Sequence, residues 1–159
     1  MNSPKNILIV RTDRIGDVVL SLPMAELIKK KYPDCRVAYF IRNYTKPLID
    51  GNPFIDEVVI AEESDGEILF KKSLELIKSK NFDTSVIVNP TLKISLMMFL
   101  AGVANRIGTG YRWYSFLFNK KVYEHRKYAE KHELGYNINL LNKVGIDFKD
   151  FSDEIKFHL

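Results

Sequence analysis

Cysteine is nearly absent from this 159-residue sequence, since Cys35 is the only one. A single cysteine excludes an internal disulfide and leaves no second thiolate for a zinc site. The histidines also lack the spacing of metal ligands, at positions His125, His132 and His158. The sequence therefore predicts neither a disulfide framework nor a metal site.

Long apolar runs are missing as well. The longest ones lie at residues 7–10 and 96–103, far short of the ~20 residues that a membrane-spanning helix needs. The N-terminus does not resemble a signal peptide, because Arg11, Asp13 and Arg14 follow only a short apolar core. We expect a cytoplasmic protein.

Glycine-rich phosphate loops are the third absence. Residues 11–17 contain only Gly16, so the three-glycine dinucleotide fingerprint is lacking, and no P-loop occurs anywhere. Nucleophile-elbow and catalytic-triad patterns are missing too. A flavodoxin-like cofactor domain fits the alternation of elements but lacks its phosphate loop, so we predict no bound cofactor.

Charge is present but unevenly distributed. The whole chain carries a net charge of +4, whereas residues 106–132 alone contain seven Lys or Arg against two Glu, a net charge of +5. A localised positive field of this kind indicates an anionic ligand or surface. Aromatic residues interleave with these cations, so a basic module for nucleic acid or for an anionic membrane surface remains an alternative function.

Strand and helix patterns alternate along most of the chain. Apolar β-favouring runs predict strands at 7–10, 36–41, 57–61, 84–88, 106–108 and 155–159, and amphipathic or apolar segments predict helices at 18–31, 68–80, 94–103 and 131–144. The acidic link 62–67 reads as a surface loop. With 46% hydrophobic and 28% charged residues, this order indicates one α/β domain over 1–159, with a Rossmann-like, doubly wound, mostly parallel sheet.

The stretch 6–23, NILIVRTDRIGDVVLSLP, is the centre of the pattern. A buried strand leads into a polar loop in which Gly16 permits a tight or left-handed turn, and Asp17 opens a helix that Pro23 distorts. Asp17 suits two roles, a carboxylate that stabilises the helix dipole and a general base at a strand end. Both roles are compatible.

The segment DRIGDVVLSLP at 13–23 resembles the N-terminal signature of glycosyltransferase family 9, the ADP-heptose:lipopolysaccharide heptosyltransferases. The likeness continues in order through Tyr32-Pro33-Asp34, Asn52-Pro53, Arg106-Ile107-Gly108, and His132 followed by Leu140-Leu141 and Gly145. Together these matches span nearly the whole chain.

The resemblance implies the N-terminal, acceptor-binding half of a two-domain GT-B enzyme, with the ADP-sugar bound by a C-terminal domain that has no counterpart here. It implies inverting, metal-independent transfer of heptose to a lipopolysaccharide core acceptor, with peripheral contact at the inner membrane and without nucleic acid. Asp17 matches the position of the family's catalytic base. The domain alone is expected to be inactive.

Arginine forks pair bidentately with phosphate and carboxylate groups, which suits an anionic glycolipid acceptor. We therefore predict acceptor binding by a basic set and its neighbours, namely Arg11, Arg14, Gly16, Arg42, Arg106, Arg112, Arg126 and His132. Where many relatives carry an Asp-rich or Gln-bearing strand end, this chain has Asn89-Pro90-Thr91, a departure that bears on acceptor identity.

Overall fold

A six-stranded parallel sheet forms the centre of the molecule. The computed structural model describes residues 2–124, 133–147 and 149. In chain order the sheet strands are β1 (Asn6–Val10), β2 (Arg36–Ile41), β3 (Glu57–Ile60), β6 (Thr84–Ile87), β7 (Asn105–Thr109) and β8 (Lys120–Val122), and β4 (Glu63–Ser64) and β5 (Glu67–Ile68) form a separate antiparallel hairpin. The sheet order is β3-β2-β1-β6-β7-β8, and every neighbouring pair is parallel.

Helices cover both faces of this sheet. The α-helices are α1 (Ile15–Ser21), α2 (Pro23–Lys31), α3 (Phe70–Ser79), α4 (Leu92–Leu100) and α5 (Glu133–Asn139), and shorter 3-10 segments occupy Asn43–Leu48, Ser115–Leu117 and Leu140–Val144. Strands buried on both faces are nearly continuous in apolar residues, as in the four buried residues that end β1. The α/β class and the parallel sheet predicted from the sequence are confirmed.

Two apolar cores result, because successive side chains of a strand point to opposite faces. Ile7 and Ile9 of β1 join the core that α1, α2 and α5 cover, whereas Leu8 and Val10 join the core under α3 and α4. The side chain of Ile138 brings α5 into the first core. β1 is therefore held from both sides, which fixes the position of the loop that follows it.

The first helix begins earlier than predicted and is interrupted. Arg14 is the extended residue before α1, and Leu22 separates α1 from α2 while keeping a helical conformation. Pro23 has no N–H to donate and occupies the first position of α2, where that loss matters least. The predicted distortion at Pro23 is therefore found as a break between two helices.

Gly16 does not make the tight or left-handed turn that the sequence predicts. It lies in the first turn of α1, its φ is not in the positive region, and a Cβ placed on it would meet no atom within 4 Å. The expectation of special backbone geometry at Gly16 is wrong, because the helix already starts at Ile15.

Two other segments differ from their predictions. The acidic link is a hairpin rather than a plain loop, with Asp65 (φ 52°) and Gly66 (φ 77°) in left-handed conformations, as a tight hairpin turn requires. The helix predicted at 94–103 is found as α4 at Leu92–Leu100, and its surface leaves Leu92, Phe99 and Leu100 exposed. The predicted final strand at 155–159 lies outside the described residues.

The end of the last helical segment agrees with its prediction. Gly145 (φ 84°) adopts the left-handed conformation and its N–H bonds back to the carbonyls of Asn142 and Leu141. No helix within residues 2–124 and 133–147 is both long and apolar enough to cross a bilayer.

Candidate active site

Arg11 lies directly after β1 and is buried, with 2% of its side chain exposed. Its Nε lies 2.9 Å from Asp13 Oδ1, an ion pair without the alignment of a hydrogen bond. Its Nη2 lies 3.2 Å from Asp17 Oδ1 and 3.7 Å from Glu133 Oε1. One guanidinium is thus surrounded by three carboxylates from the loop, α1 and α5.

This burial gives Arg11 a different place from the one predicted. The sequence suggested that it would bind an anionic acceptor, whereas in the structure its charge already faces three carboxylates of the chain itself. A side chain that is 2% exposed has little surface to offer a ligand. The geometry indicates that Arg11 holds the acidic residues in place.

Asp17 lies in the first turn of α1, at the carboxyl end of β1. About a third of its side chain is exposed, 33%, so it remains accessible while it is paired with Arg11. The partial positive charge at the start of a helix also favours an ionised carboxylate there. Asp17 is therefore a carboxylate that is both held in place and accessible, two properties that a general base needs.

Asp13 is the second carboxylate of the cluster. Asn89, which follows β6, donates from Nδ2 to Asp13 Oδ2 at 3.2 Å, and the Tyr44 hydroxyl donates to the Asp13 backbone carbonyl at 2.6 Å. Burial raises the pKa of the Asp13 carboxyl above its ordinary value; the Arg11 charge opposes this, and the like charge of Asp17 adds to it. Asp13 and Asp17 thus influence each other electrostatically.

A cavity of about 340 Å³ opens beside this cluster, at the carboxyl ends of β6, β7 and β8. Asn89 belongs to its wall and also bonds Asp13, so the cavity and the acidic cluster share a residue. The polar and aromatic part of the lining comprises Asn89, Thr109, Tyr111, Arg112, Glu124 and Tyr136. In open α/β sheets, ligands bind at this edge.

The loop after β7 is rigidly built. Ser115 Oγ donates to the Thr109 carbonyl at 2.7 Å and accepts from the Arg112 amide at 3.0 Å. Gly110 lets Tyr123 pack against the backbone, since a Cβ there would lie 2.2 Å from its ring. The backbone of Arg112 is therefore fixed at the cavity wall.

Arg14 and Arg112 are the exposed arginines of this edge. Within the described part of the chain, neither guanidinium makes an ion pair or a side-chain hydrogen bond. Arg112 lines the cavity, whereas Arg14 precedes α1 next to the acidic cluster.

Arg42 and Arg106 are engaged in the fold. Arg42 pairs with Glu63 at 3.1 Å and donates to the Gly66 carbonyl at 3.0 Å, so it ties the hairpin to the end of β2. Arg106 lies in the amino half of β7 and donates to the carbonyls of Leu117 (2.7 Å) and Val103 (2.6 Å). The structure does not bring Arg106 to the cavity.

The remaining predicted residues are Gly16, Arg126 and His132. Gly16 is exposed in the turn that carries Asp17. Arg126 and His132 lie outside the described residues.

Asp13, Asn89 and Glu133 were missed as members of the cluster. Asp13 is one of several charges in a short loop, and Asn89-Pro90 stood out only as a departure from relatives. Glu133 lies more than a hundred positions from Arg11, and no local pattern links the two. No group of three or more potential metal ligands is arranged to hold a metal ion among residues 2–124 and 133–147.

Comparison with known proteins finds glycosyltransferase and heptosyltransferase relatives. A Haemophilus influenzae protein assigned as a glycosyltransferase is 26% identical over 137 residues, which cover 86% of this chain and 40% of that protein. The lipooligosaccharide heptosyltransferase 2 of the same species is 26% identical over 105 residues, covering 65% of this chain and 30% of that protein. No protein-family model matches the chain.

A solved structure extends the likeness to the fold. The glycosyl transferase family 9 protein from Veillonella parvula superposes with a TM-score of 0.77 at 21% identity, over 90% of this chain and 42% of that one. The chain therefore spans less than half the length of each of these relatives. The resemblance to glycosyltransferase family 9 is thus confirmed, with the chain corresponding to the N-terminal part of such proteins.

Proposed function

We propose that this chain is the N-terminal, acceptor-binding part of an inverting glycosyltransferase of GT-B architecture. It would transfer heptose from ADP-heptose to a lipopolysaccharide core acceptor in the cytoplasm. The observation that carries the proposal is Asp17, an accessible carboxylate held by Arg11 beside a cavity at the carboxyl edge of the sheet. The glycosyltransferase and heptosyltransferase relatives support the same reaction class.

Asp17 acts as the general base in this proposal. The acceptor hydroxyl attacks the anomeric carbon of the donor sugar as the bond from that carbon to the ADP phosphate oxygen breaks. The bonding electrons leave with ADP, and the hydroxyl proton moves to the Asp17 carboxylate. A helix-terminal carboxylate is a weak base, which suffices when the proton leaves late, after the new C–O bond has begun to form.

The acceptor binds in the cavity beside Asn89. Its volume of about 340 Å³ suits one sugar unit with part of a neighbour, and Tyr111 and Tyr136 provide aromatic surface for the apolar faces of the rings. Arg112 pairs with a phosphate or carboxylate substituent of the acceptor through its planar fork. Arg14 provides a second cation nearer to the base.

The donor sugar binds elsewhere in the complete protein. No glycine-rich phosphate loop occurs in the sequence, and the relatives are more than twice as long as the region that matches them. We therefore propose that a second domain holds ADP-heptose against Asp17, and that residues 1–159 alone do not transfer sugar.

The test is a transfer assay with the complete protein, ADP-heptose and a lipopolysaccharide core acceptor, followed by the mass of the acceptor and by release of ADP. The expected product is heavier by one heptose and has the inverted anomeric configuration. ADP-mannose or UDP-glucose, offered alone in parallel, determines the donor class. A retained configuration, or turnover by residues 1–159 alone, would contradict the proposal.

A second candidate function, binding to an anionic membrane surface, is favoured by exposed apolar residues within the basic part of the chain. Trp113 is 74% exposed and Phe116 is 68% exposed, and Phe99 of α4 lies 5.1 Å under the Arg106 guanidinium. Aromatic residues beside cations are typical of interfacial binding. For the transferase this contact amounts to peripheral docking at the inner membrane, where a glycolipid acceptor resides.

Vesicle flotation separates this candidate from nucleic-acid binding. We expect the chain to float with vesicles containing phosphatidylglycerol and not with pure phosphatidylcholine. Steep, salt-dependent binding to arbitrary oligonucleotides without flotation would instead favour a nucleic-acid module.

A further inference from the structure

Asp13 and Asp17 are two carboxylates held against one buried cation. Arg11 reaches Asp13 through Nε at 2.9 Å and Asp17 through Nη2 at 3.2 Å. Asn89 fixes the other Asp13 oxygen at 3.2 Å and also lines the cavity. Asp13 is therefore fixed from two sides, between the cavity wall and the residue proposed as the base.

We propose that Asp13 is a positioning residue for Asp17, held by Arg11 and Asn89 so that its negative charge shares the Arg11 guanidinium with Asp17. The catalytic role of Asp13 rests on the proposed function, whereas the pairing of Asp13 and Asp17 around Arg11 does not. The pairing assigns a role to Asp13 within the TDRIGD segment at 12–17, whereas the sequence had indicated only Asp17.

The electrostatic reason is a balance of opposing influences on Asp17. The Arg11 guanidinium lies 3.2 Å from the Asp17 carboxylate and attracts its negative charge. A second negative charge beside it acts in the opposite direction, because two like charges that are close together resist joint ionisation. The raised pKa of Asp13, to which Asp17 contributes after burial, is consistent with this mutual influence.

Proton transfer to Asp17 leaves the Arg11 guanidinium with other carboxylate partners. When Asp17 takes the acceptor proton it becomes neutral, and Arg11 still faces Asp13 and Glu133. The guanidinium thus keeps carboxylate partners in both states of Asp17, so protonation does not leave a buried cation alone. If Asp17 were the only partner, its protonation would leave Arg11 buried without compensation.

The groups that face Asp13 come from each neighbouring element. Arg11 follows β1, Asp17 belongs to α1, and Asn89 follows β6. Glu133 of α5 reaches the same guanidinium at 3.7 Å. The Tyr44 hydroxyl contacts the Asp13 backbone carbonyl rather than its carboxylate. Among the described residues, the charged groups of this cluster are therefore one arginine and three acids.

The kinetic test compares Asp13→Asn with the wild type in the complete protein. We expect kcat to fall about 10-fold, which is less than the roughly 10²–10⁴-fold that a general base itself contributes, while KM stays within about 2-fold since the acceptor contacts remain. The acidic limb of the kcat–pH profile should move to lower pH. Asp34→Asn, the same charge change in an exposed turn, should leave both unchanged.

A loss of activity with an unchanged pH profile would show a structural role only and would overturn the inference. Asp13→Glu is the folding control, because it keeps the charge. Rescue of the pH profile by this variant, at whatever kcat, supports the electrostatic role, whereas a profile like that of Asp13→Asn contradicts it.

Carboxyl ¹³C NMR titration of the 159-residue chain tests the pairing without any turnover. Asp17→Asn should lower the titration midpoint of Asp13, because the like charge that raises its pKa is gone. A midpoint that does not move would overturn the pairing even if the transferase assay succeeds. Conversely, an inactive wild-type enzyme would refute the proposed function, and the titration would still decide whether the two carboxylates are coupled.

Discussion

The two edges of the parallel sheet carry similar acidic and basic residues but pair them differently. At the amino edge, Asp83 accepts from the backbone amides of Lys5 (2.9 Å) and Asn6 (2.7 Å), and Asp56 accepts from the amide of Val37 (2.7 Å). Each of these carboxylates caps the start of a strand. These two carboxylates of the amino edge hold backbone in place.

At the carboxyl edge the same residue types leave capacity for other partners. Three carboxylates converge on Arg11, while the exposed Arg14 and Arg112 make no ion pair within the described part of the chain. The difference shows that charge density alone does not identify a site. The carboxyl edge differs in that Asp17 is paired with a buried arginine and is still accessible near a cavity.

Asp17→Ala, at the carboxyl edge, should have the largest effect on activity of the variants that compare the two edges. We expect kcat of the complete enzyme to fall by roughly 10²–10⁴-fold, the usual effect of removing a general base, with little change in stability because Asp17 is partly exposed. Steady-state assays and urea denaturation measure the two quantities. Turnover within a few-fold of the wild type would remove Asp17 as the base.

Arg11→Met tests whether the carboxyl edge also depends on its buried cation. Removing one partner of a buried charge cluster costs about 3–5 kcal/mol of unfolding free energy, whereas Arg36→Met, on an arginine that is 47% exposed at the amino edge, should cost less than about 1 kcal/mol. Urea denaturation at pH 7 compares the variants. Equal losses would mean that Arg11 is not the organising charge.

Arg112→Ala should weaken acceptor binding without affecting the fold. A hydrogen bond to a charged group contributes about 1.5–3 kcal/mol, so KM for an anionic acceptor should rise about 10-fold or more. Arg36→Ala is the matched control, because it removes the same charge at the other edge. If both variants bind the acceptor alike, the cavity beside Arg112 is not the acceptor site.

Asp83→Ala should be the reverse case, with stability lost and activity kept. Two backbone amides lose their acceptor, and we expect the unfolding free energy to fall by about 1–3 kcal/mol. Asp83→Asn keeps one acceptor oxygen and should cost less. A variant that is stable but inactive would place function at the amino edge and break the comparison.

The smallest effect concerns pH at the amino edge. Burial raises the pKa of Asp56, but hydrogen bonds from Lys29 and the Val37 amide outweigh it and hold the pKa below its ordinary value of 3.8. A depressed folded-state pKa stabilises the fold above the unfolded value and loses that effect as pH falls through the folded value. The urea concentration at the midpoint of unfolding should therefore decrease as the pH falls below about 4. The decrease should be smaller in Asp56→Asn. An identical acid dependence in both would show that Asp56 contributes nothing.

The strands of the sheet were predictable because each is a short apolar run between turn signals. β2 at Arg36–Ile41 matches its predicted bounds, and the break at Pro23 follows from the missing N–H of proline. The start of α1 was not predictable in the same way, since Arg14-Ile15-Gly16 has no capping residue and a glycine that suggested a turn.

The site was predictable where it is local and unpredictable where it is assembled. Asp17 sits at a strand-to-helix junction, which a sequence displays. The neutralisation of Arg11 depends on Glu133, and the anchoring of Asp13 depends on Asn89, so both require the tertiary arrangement. Arg106 and Arg112 look equivalent in the basic segment, yet backbone carbonyls of the fold engage only the side chain of the first.

The strand order carries a consequence for how the chain folds. β1 pairs with β6, and the amide of Asn6 bonds Asp83 across 77 positions. Contacts so distant in sequence form slowly because a large loop must close first. During synthesis β1, β2 and β3 emerge early as half of a sheet, and Asn89 joins Asp13 only after β6 has docked. The acidic cluster around Arg11 is therefore completed late, because it needs Asn89 after β6 and Glu133 of α5 as well as the loop that follows β1.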